Sequence, residues 1–513
     1  MKLKKLPIGI QTFKKIINEN YTYIDKTQIA YNLINDYQNV FLSRPRRFGK
    51  SLFLDTLHNI FEGNKELFKG LYIYDKWDFE DKYPVIKISW GGNLKTLEST
   101  NKKAISILKD NQKRLGVECE DMQDASICFD ELIKKTYEKY NKPVVILIDE
   151  YDKPILDNLD NTTIAIQNRD FLRGLYVMLK ENDAYIKFAF LTGISKFSKA
   201  SIFSGLNNLT DISLNKRYGN ICGYTQENIE YYFKEYLVDV DLKKVQSWYN
   251  GYNFLGQKVY NPFDLLQYLD TKEFKNYWWE SGNPYFLIEI LKKGDYFIPN
   301  VENLKTDESL LNSFDIEKLK LEVLLFQSGY LSIDKQFQKR DKIFYTLKVP
   351  NKEVQISLNE LFLMYLTDRV DFDIQDNIYD SLYEADLEMF KNSLISLFAS
   401  IPYNNYVKNN ISNFEGYYAS VIYTYLASLG VEMIAEDVTN RGRIDLSIKL
   451  NDKIYIIEFK MQSEDALSQI KEKNYHQKYL NNSKEIYLVG INFDEDKKNI
   501  TKFEWEKVEV GCG

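Results

Sequence analysis

Asn39-Val-Phe-Leu-Ser-Arg-Pro-Arg-Arg-Phe-Gly-Lys-Ser51 is the stretch on which the reading of this chain turns. Its first five residues suit a buried strand, and Leu52 to Phe61 follow helical spacing. A strand, a turn, Gly-Lys-Ser and a helix make the arrangement of a phosphate-binding loop. Backbone N–H groups at a helix start point at an anion, and the helix dipole favours negative charge there. The pattern assigns Lys50 to outer phosphates and Ser51 to Mg²⁺, with Gly49 at the turn and Arg44, Arg46 and Arg47 as extra positive charge around a triphosphate. The loop departs from GxxxxGK[ST] in one respect. Its first glycine falls at Arg44, with Pro45 after it, so the turn must be built differently.

Outward from the loop, Pro143-Val-Val-Ile-Leu-Ile148 reads as a continuous β-branched strand running into Asp149-Glu150. An acid pair at the end of a second buried strand supplies the partner a phosphate loop needs. Asp149 is expected at the C-terminal end, holding the Mg²⁺ shell, and Glu150 as the general base for an attacking water. The plainer reading is a buried strand that ends in solvated acids. Pro84–Trp90 and Ile186–Thr192 read as two further strands, which predicts a parallel sheet covered on both faces. Thr192 ends the last of these, where a polar residue can sense a terminal phosphate or be an ordinary strand-end threonine. Arg173 and Arg217 are candidate charge-stabilising arginines, with surface roles the plainer reading.

Composition narrows the chemistry. The chain has 513 residues, 44% hydrophobic and 27% charged, enough for several packed cores and roughly three domains. No apolar run approaches the ~18 residues of a membrane helix. The basic N-terminus has no apolar stretch of the kind a secretory signal carries, so no secretory signal is expected. The four cysteines, Cys119, Cys128, Cys222 and Cys512, form no CxxC pair. Neither a zinc ribbon nor a disulfide framework is expected, and a reducing cytoplasm fits. Two histidines, His58 and His476, exclude a His-rich metal site and disfavour a Ser-His-Asp hydrolase. Carboxylates, lysines and an oxygen-loving metal are left to carry any chemistry. A net charge of −7 argues against a coat of positive potential but leaves room for a local basic groove. The abundance of Lys, Asn, Ile and Tyr is associated with AT-rich bacterial genomes.

The pattern predicts three domains: an α/β domain over 1–222, a helical domain over 223–400 and a mixed α/β domain over 401–513. Thr225 to Leu237 reads as a helix with half a capping signature. Gly329–Ile333 and Ile343–Val349 read as a hairpin that could belong to a winged-helix-like element. In the last domain a helix is expected from Glu415 to Leu429, capped by Gly430. Strands follow at Ile444–Leu450, Ile454–Phe459 and Glu485–Ile491, with a helix near Ala466–Tyr479.

Asp445 leads one strand of this domain, and Glu458-Phe-Lys460 ends the next. Glu458 and Lys460 are two apart and share a face, and Asp445 can lie opposite across the hairpin. Two carboxylates and the Phe459 carbonyl make an oxygen site for Mg²⁺. Lys460 can orient water and stabilise charge on phosphorus. Glu415 could complete a second metal position, and Gln469 could steady the nucleophile or the scissile phosphate. The plainer reading is a hairpin with a Glu458–Lys460 ion pair.

These residues resemble a known family, the bacterial proteins that join an AAA-ATPase-like domain to a C-terminal PD-(D/E)XK nuclease-superfamily domain. The resemblance is carried by Leu6-Pro-Ile-Gly-Ile10, Tyr23-Ile-Asp-Lys-Thr27, Arg44–Leu52, Ile148-Asp-Glu-Tyr-Asp-Lys-Pro154, Leu191-Thr-Gly-Ile194, Trp248-Tyr-Asn-Gly-Tyr252, Gly442-Arg-Ile-Asp445 and Glu458-Phe-Lys460. It spans nearly the whole chain, and the Arg-Pro-Arg-Arg loop is the family's usual form. It implies a P-loop sheet, a restriction-endonuclease-like C-terminal fold, ATP and Mg²⁺ as cofactors, and a nucleic-acid partner, DNA ahead of RNA. Asp25 and Lys26 could face the nucleotide or cap a helix. The expected function is an ATP-regulated, Mg²⁺-dependent nuclease. The alternative is a non-cleaving ATP-dependent switch whose C-terminal domain only grips nucleic acid or protein.

Overall fold

The computed structural model describes residues 3–196, 202, 208–278, 287, 291, 304–311, 320–367, 372–401, 415–461, 465–480, 485–494 and 496–508, with 309, 310, 372 and 415 as backbone alone. The chain divides into two compact units. Unit 1 is Met1–Gly282 with Lys305–Val354, and unit 2 is Asn283–Leu304 with Gln355–Gly513. The expected middle segment, 223–400, is shared between them.

Unit 1 is built on β1 (Asn39–Ser43), β2 (Val85–Ser89), β3 (Val144–Asp149), β4 (Ile186–Gly193) and β5 (Thr210–Asp211). They pair in parallel in the order β2-β3-β4-β1-β5. Every residue of β3 is buried, as a strand covered by helices on both faces requires. β4 lies between β1 and β3, so the ends of the phosphate-loop strand and the acid-pair strand come out on one edge of the sheet. Ligands bind at that edge in open α/β sheets.

The helical part of unit 1 is more regular at its starts than the sequence suggests. Thr225 caps the Gln226–Tyr232 helix in a full reciprocal box: its hydroxyl accepts from the Asn228 amide, and Asn228 accepts from the Thr225 amide. Asparagine thus does the work usually given to glutamate at that position. Residues 234–237 continue as a tighter turn rather than as one helix. The expected hairpin is present but shifted, as β7 (Ser332–Lys339) and β8 (Lys342–Lys348), with β6 (Lys305–Asp307) beside β8. Gly329 and Leu331 belong instead to the end of the Leu321–Ser328 helix, where both amides return to the Leu325 carbonyl.

Unit 2 holds a second sheet of β9 (Glu432–Val438), β10 (Arg443–Leu450), β11 (Lys453–Met461), β12 (Glu485–Asp494) and β13 (Asn499–Val508), in the order β13-β12-β11-β10-β9. Only β11 and β12 pair in parallel. A parallel pair needs a crossover, and the Ala466–Lys473 helix lies in that connection. It packs so close to β12 that a Cβ on Gly490 would meet the Leu467 amide at 2.5 Å. The expected helix near 466–479 breaks at left-handed Asn474 into two pieces. The Glu415–Ser428 helix stops before Gly430, which takes φ +73°.

One expectation is overturned. Cys119 and Cys128 form a disulfide, with Cα atoms 5.3 Å apart. The two lie nine residues apart, Cys128 on the Ala125–Tyr140 helix and Cys119 in the connection before it. A search for CxxC spacing misses such a pair because folding, not proximity in sequence, brings it together. Among the described residues no helix is long and apolar enough to cross a membrane.

Candidate functional site

At the end of β1 the chain turns through Arg44–Phe48 into the Lys50–Phe61 helix. Gly49 caps that helix at φ +91° with open space around its Cβ position, so backbone conformation and not crowding selects glycine. The first glycine of the motif is replaced by a residue with a different job. Arg44 is 1% exposed, and its guanidinium donates to the carbonyls of Ser43, Ser213 and Tyr218 at 2.8, 2.8 and 3.1 Å. It also lies 4.0 Å from the centre of the Phe254 ring. Arg44 therefore braces the loop from behind and adds no charge to the phosphate side. Burial lowers it to about 10.

Arg46, Arg47, Gly49, Lys50, Ser51 and Glu150 line a cleft of about 670 Å³. That volume lies in the range of ligand sites. Lys50 is buried and donates to the carbonyls of Arg44 and Pro45 at 2.9 and 2.8 Å. Burial lowers its ammonium and Asp149 opposes that shift. Asp149 is itself buried at the end of β3 and accepts from the Glu150 amide at 3.0 Å. Glu150 takes φ +52°, which turns the chain sharply after the strand. Desolvation, then the Asp149 charge, raises its carboxyl. A raised carboxyl suits a general base working near neutral pH.

Other expected residues land elsewhere. The Thr192 hydroxyl donates to the Leu42 carbonyl at 3.0 Å, and the residue is fully buried inside the sheet, off the cleft lining. Arg217 pairs with Asp36 and Arg173 with Asp170. Asp25 accepts from the Thr27 amide and hydroxyl just ahead of the Thr27–Asp36 helix. Lys26 donates to the Asn220 carbonyl and to Asn228. Asp152 belongs to the Ile148–Pro154 motif, yet residue type and spacing assign it no role. Asp152 lines the cleft, is 1% exposed, and accepts from the amides of Ile194 and Ser195 and from the Ser195 hydroxyl. It ties the turn after β3 to the end of β4. A Cβ on Gly193 would meet its Oδ1 at 2.5 Å, so the pairing of Asp152 with that glycine was the available signal.

In unit 2 the antiparallel register Leu446↔Ile457 continues to set Asp445 opposite Glu458. Asp445 Oδ2 accepts from the Phe459 amide at 2.9 Å. Glu458 is fully buried, and its Oε2 accepts from Gln469 Nε2 at 2.9 Å. Its Oε1 is also buried and has no hydrogen-bond partner among the described residues. Burial, then the neighbouring Asp445 charge, pushes Glu458 up to about 9, while Lys460 pulls the other way. The two carboxylates therefore meet, Lys460 lies near enough to act on the charge of Glu458, and Gln469 holds Glu458 rather than standing apart from it. A Cβ on Gly442 would meet Tyr475 Oη at 2.6 Å, so that glycine lets Tyr475 reach the Arg443 carbonyl beside the acids. The Glu415 side chain lies outside the described residues. Among those residues no group of three or more His, Cys, Asp or Glu converges as a metal would need.

The donor sets fit the expected groups. The cleft offers a helix N-terminus, an ammonium and two guanidinium groups to a polyphosphate. The acid pair offers an orphaned buried oxygen and a like-charge clash that a divalent cation would relieve.

Residues 7–203 match the family described as "Predicted AAA-ATPase", and residues 413–503 match the PD-(D/E)XK nuclease superfamily. The chain is 43% identical over 516 residues to the "Uncharacterized protein in vnfD 5'region" of Azotobacter chroococcum mcd 1, covering 99% of this chain and 100% of that relative.

Proposed function

We propose, for a chain that belongs to the family joining an AAA-ATPase-like domain to a PD-(D/E)XK nuclease-superfamily domain, that it is an ATP-regulated, Mg²⁺-dependent nuclease acting on DNA ahead of RNA. One observation carries the reading: Glu458 and Asp445 are pressed together on adjacent strands, and Glu458 keeps a buried oxygen that no described residue satisfies. A purely structural hairpin has no reason to hold that arrangement, because burying an unpaired acid is costly.

Asp445 and Glu458 would hold Mg²⁺, which when bound polarises a phosphoryl oxygen and makes a water more acidic. The chain's own residues do the rest. The Phe459 amide fixes Asp445, and Gln469 fixes Glu458. Lys460, on the same strand face as Glu458, supplies positive charge where phosphorus gains negative charge in the transition state. In unit 1 the helix start and Lys50 bind the polyphosphate, Ser51 and Asp149 would hold its Mg²⁺, and Glu150 accepts a proton from water. Hydrolysis at that cleft would set when the nuclease works.

A second reading, an ATP-dependent switch whose nuclease fold grips without cutting, is favoured by one fact. Two carboxylates, not three, converge among the described residues. The deciding experiment incubates the full chain with supercoiled DNA, single-stranded DNA and RNA, in Mg²⁺ or Mn²⁺, with and without ATP. Cleavage that falls ~10²–10³-fold in Asp445→Asn and Lys460→Ala supports the nuclease. Equal cleavage by wild type and both variants, or none with any substrate, supports the switch.

A further inference from the structure

Trp248-Tyr-Asn-Gly-Tyr252 takes no part in the chemistry above, yet unit 1 is built around it. Tyr252 is 1% exposed and meets the phosphate-loop residue Phe48 edge-on, with ring centres 4.8 Å apart. Gly251 sits at φ +121°, and a Cβ there would lie 2.0 Å from the Pro350 carbonyl oxygen. The segment Pro350–Glu353 is thus pressed directly onto this motif. It is also the last stretch of unit 1, since the chain passes into unit 2 after Val354.

Beside Tyr252 lie two acids that the site does not use. Asp264, in the first turn of the Pro262–Thr271 helix, and Glu353 are both fully buried. Their carboxyl groups meet within hydrogen-bonding reach. Glu353 Oε1 accepts from the Trp278 amide at 2.9 Å, and neither Asp264 oxygen accepts from a described donor. Two carboxyl groups can bond to each other only through a proton held between them. On the cleft side, Pro262, Phe263 and Leu266 of the same helix line the nucleotide cleft. Arg47 of the phosphate loop lies 3.9 Å from the centre of the Phe263 ring.

We propose that the Asp264–Glu353 carboxyl pair is a proton-held latch that fastens the Pro350–Glu353 segment to the wall of the nucleotide cleft, and that nucleotide on the Arg47–Phe263 side works this latch. The second half rests on the ATP reading above. The titratable groups around the pair are Arg47 from the phosphate loop, Tyr249 and Tyr252 from the motif, Tyr277, and Tyr330. Arg47 brings positive charge from the cleft side and favours the ionised Asp264, while Lys352, next to Glu353 in the chain, lies over the Trp248 ring. A phosphate that draws Arg47 toward itself therefore strengthens the proton-held state.

Burial raises Asp264 to about 8 and Glu353 well above the usual carboxylate range. The folded chain then holds a proton that the unfolded chain releases. The stabilisation it brings is complete below the ordinary carboxylate pKa and declines as pH climbs; the share held by Asp264 is gone above about 8, and that of Glu353 outlasts it.

The test is hydrogen exchange of the full chain over residues 349–360 at pH 6 and pH 9, corrected for intrinsic rates, with and without ATPγS and Mg²⁺. Wild type should lose protection by about a hundredfold or more between the two pH values, since the opening constant rises about tenfold per pH unit until Asp264 ionises near 8. Asp264→Asn, whose amide can donate to Glu353 at either pH, should lose less than twofold. If it does not fold, Glu353→Gln serves the same purpose. ATPγS should restore wild-type protection at pH 9. Equal protection at both pH values in wild type, or an equal loss in the amide variant, overturns the latch. Binding of a fluorescent ATP analogue is measured in parallel. If the analogue binds and protection does not change, the nucleotide link is wrong; if it does not bind, the ATP reading has failed and the pH result still decides the latch.

Discussion

The cleft of unit 1 and the acid pair of unit 2 both bury charged groups, but they satisfy them differently. Lys50 has its loop carbonyls to donate to, so its charge is solvated by the protein itself. Glu458 has Gln469 for one oxygen and nothing described for the other. The difference follows from the backbone. A loop that wraps a helix start turns carbonyls as well as amides inward, which serves a cation until phosphate arrives. A pair of β-strands has committed most of its amides to the ladder, so beyond the Phe459 amide on Asp445 and Gln469 on Glu458 the acids find few donors.

Three experiments test that contrast. Removing the Lys50 ammonium should weaken ATP binding by ~10–100-fold, the worth of one charge-assisted hydrogen-bond set. Fluorescent-analogue titration of Lys50→Ala checks this, read beside a thermal melt because the variant leaves the buried carbonyls of Arg44 and Pro45 without their donor. A change under threefold would mean that Lys50 serves the loop and not the nucleotide. On the other side, Glu458→Gln should make the metal-free chain more stable at neutral pH by about 1–3 kcal/mol, since the buried Glu458 must be held protonated against its ordinary pKa and the amide needs no proton. It should also abolish the rise in Tm that Mg²⁺ gives wild type. Thermal melts in EDTA and in Mg²⁺ read both effects, and an unchanged Mg²⁺ response would remove Glu458 from the metal site. The smallest effect is expected at Thr192→Val, about 1 kcal/mol for its bond to Leu42, with ATP affinity within twofold of wild type. A larger loss of affinity than of stability would restore Thr192 to the nucleotide.

Much of the architecture was legible because it rests on local pattern. The runs at 39–43, 144–149 and 186–193 are apolar enough to be strands wherever they are placed, and each reappears within a residue or so. Edge strands were not legible. β9 carries Glu432, Glu436 and Asp437, and β13 alternates charges along its length, because a strand with one open side need not be apolar. At the sites, Gly49 and Lys50 could be read from type and spacing. Arg44 could not, because a guanidinium at a loop looks like a phosphate ligand until the carbonyls of Ser213 and Tyr218 are seen to surround it.

The sequence by itself determined where strands would end and which acids and lysines would stand at those ends, since period and residue type act over a few neighbours. Only the tertiary structure decided which way those side chains face and what each one meets. Thr192 turns into the sheet, Asp152 reaches β4, and Asp264 meets Glu353 across 89 residues of chain, because burial and hydrogen-bond satisfaction are settled by segments far apart in sequence.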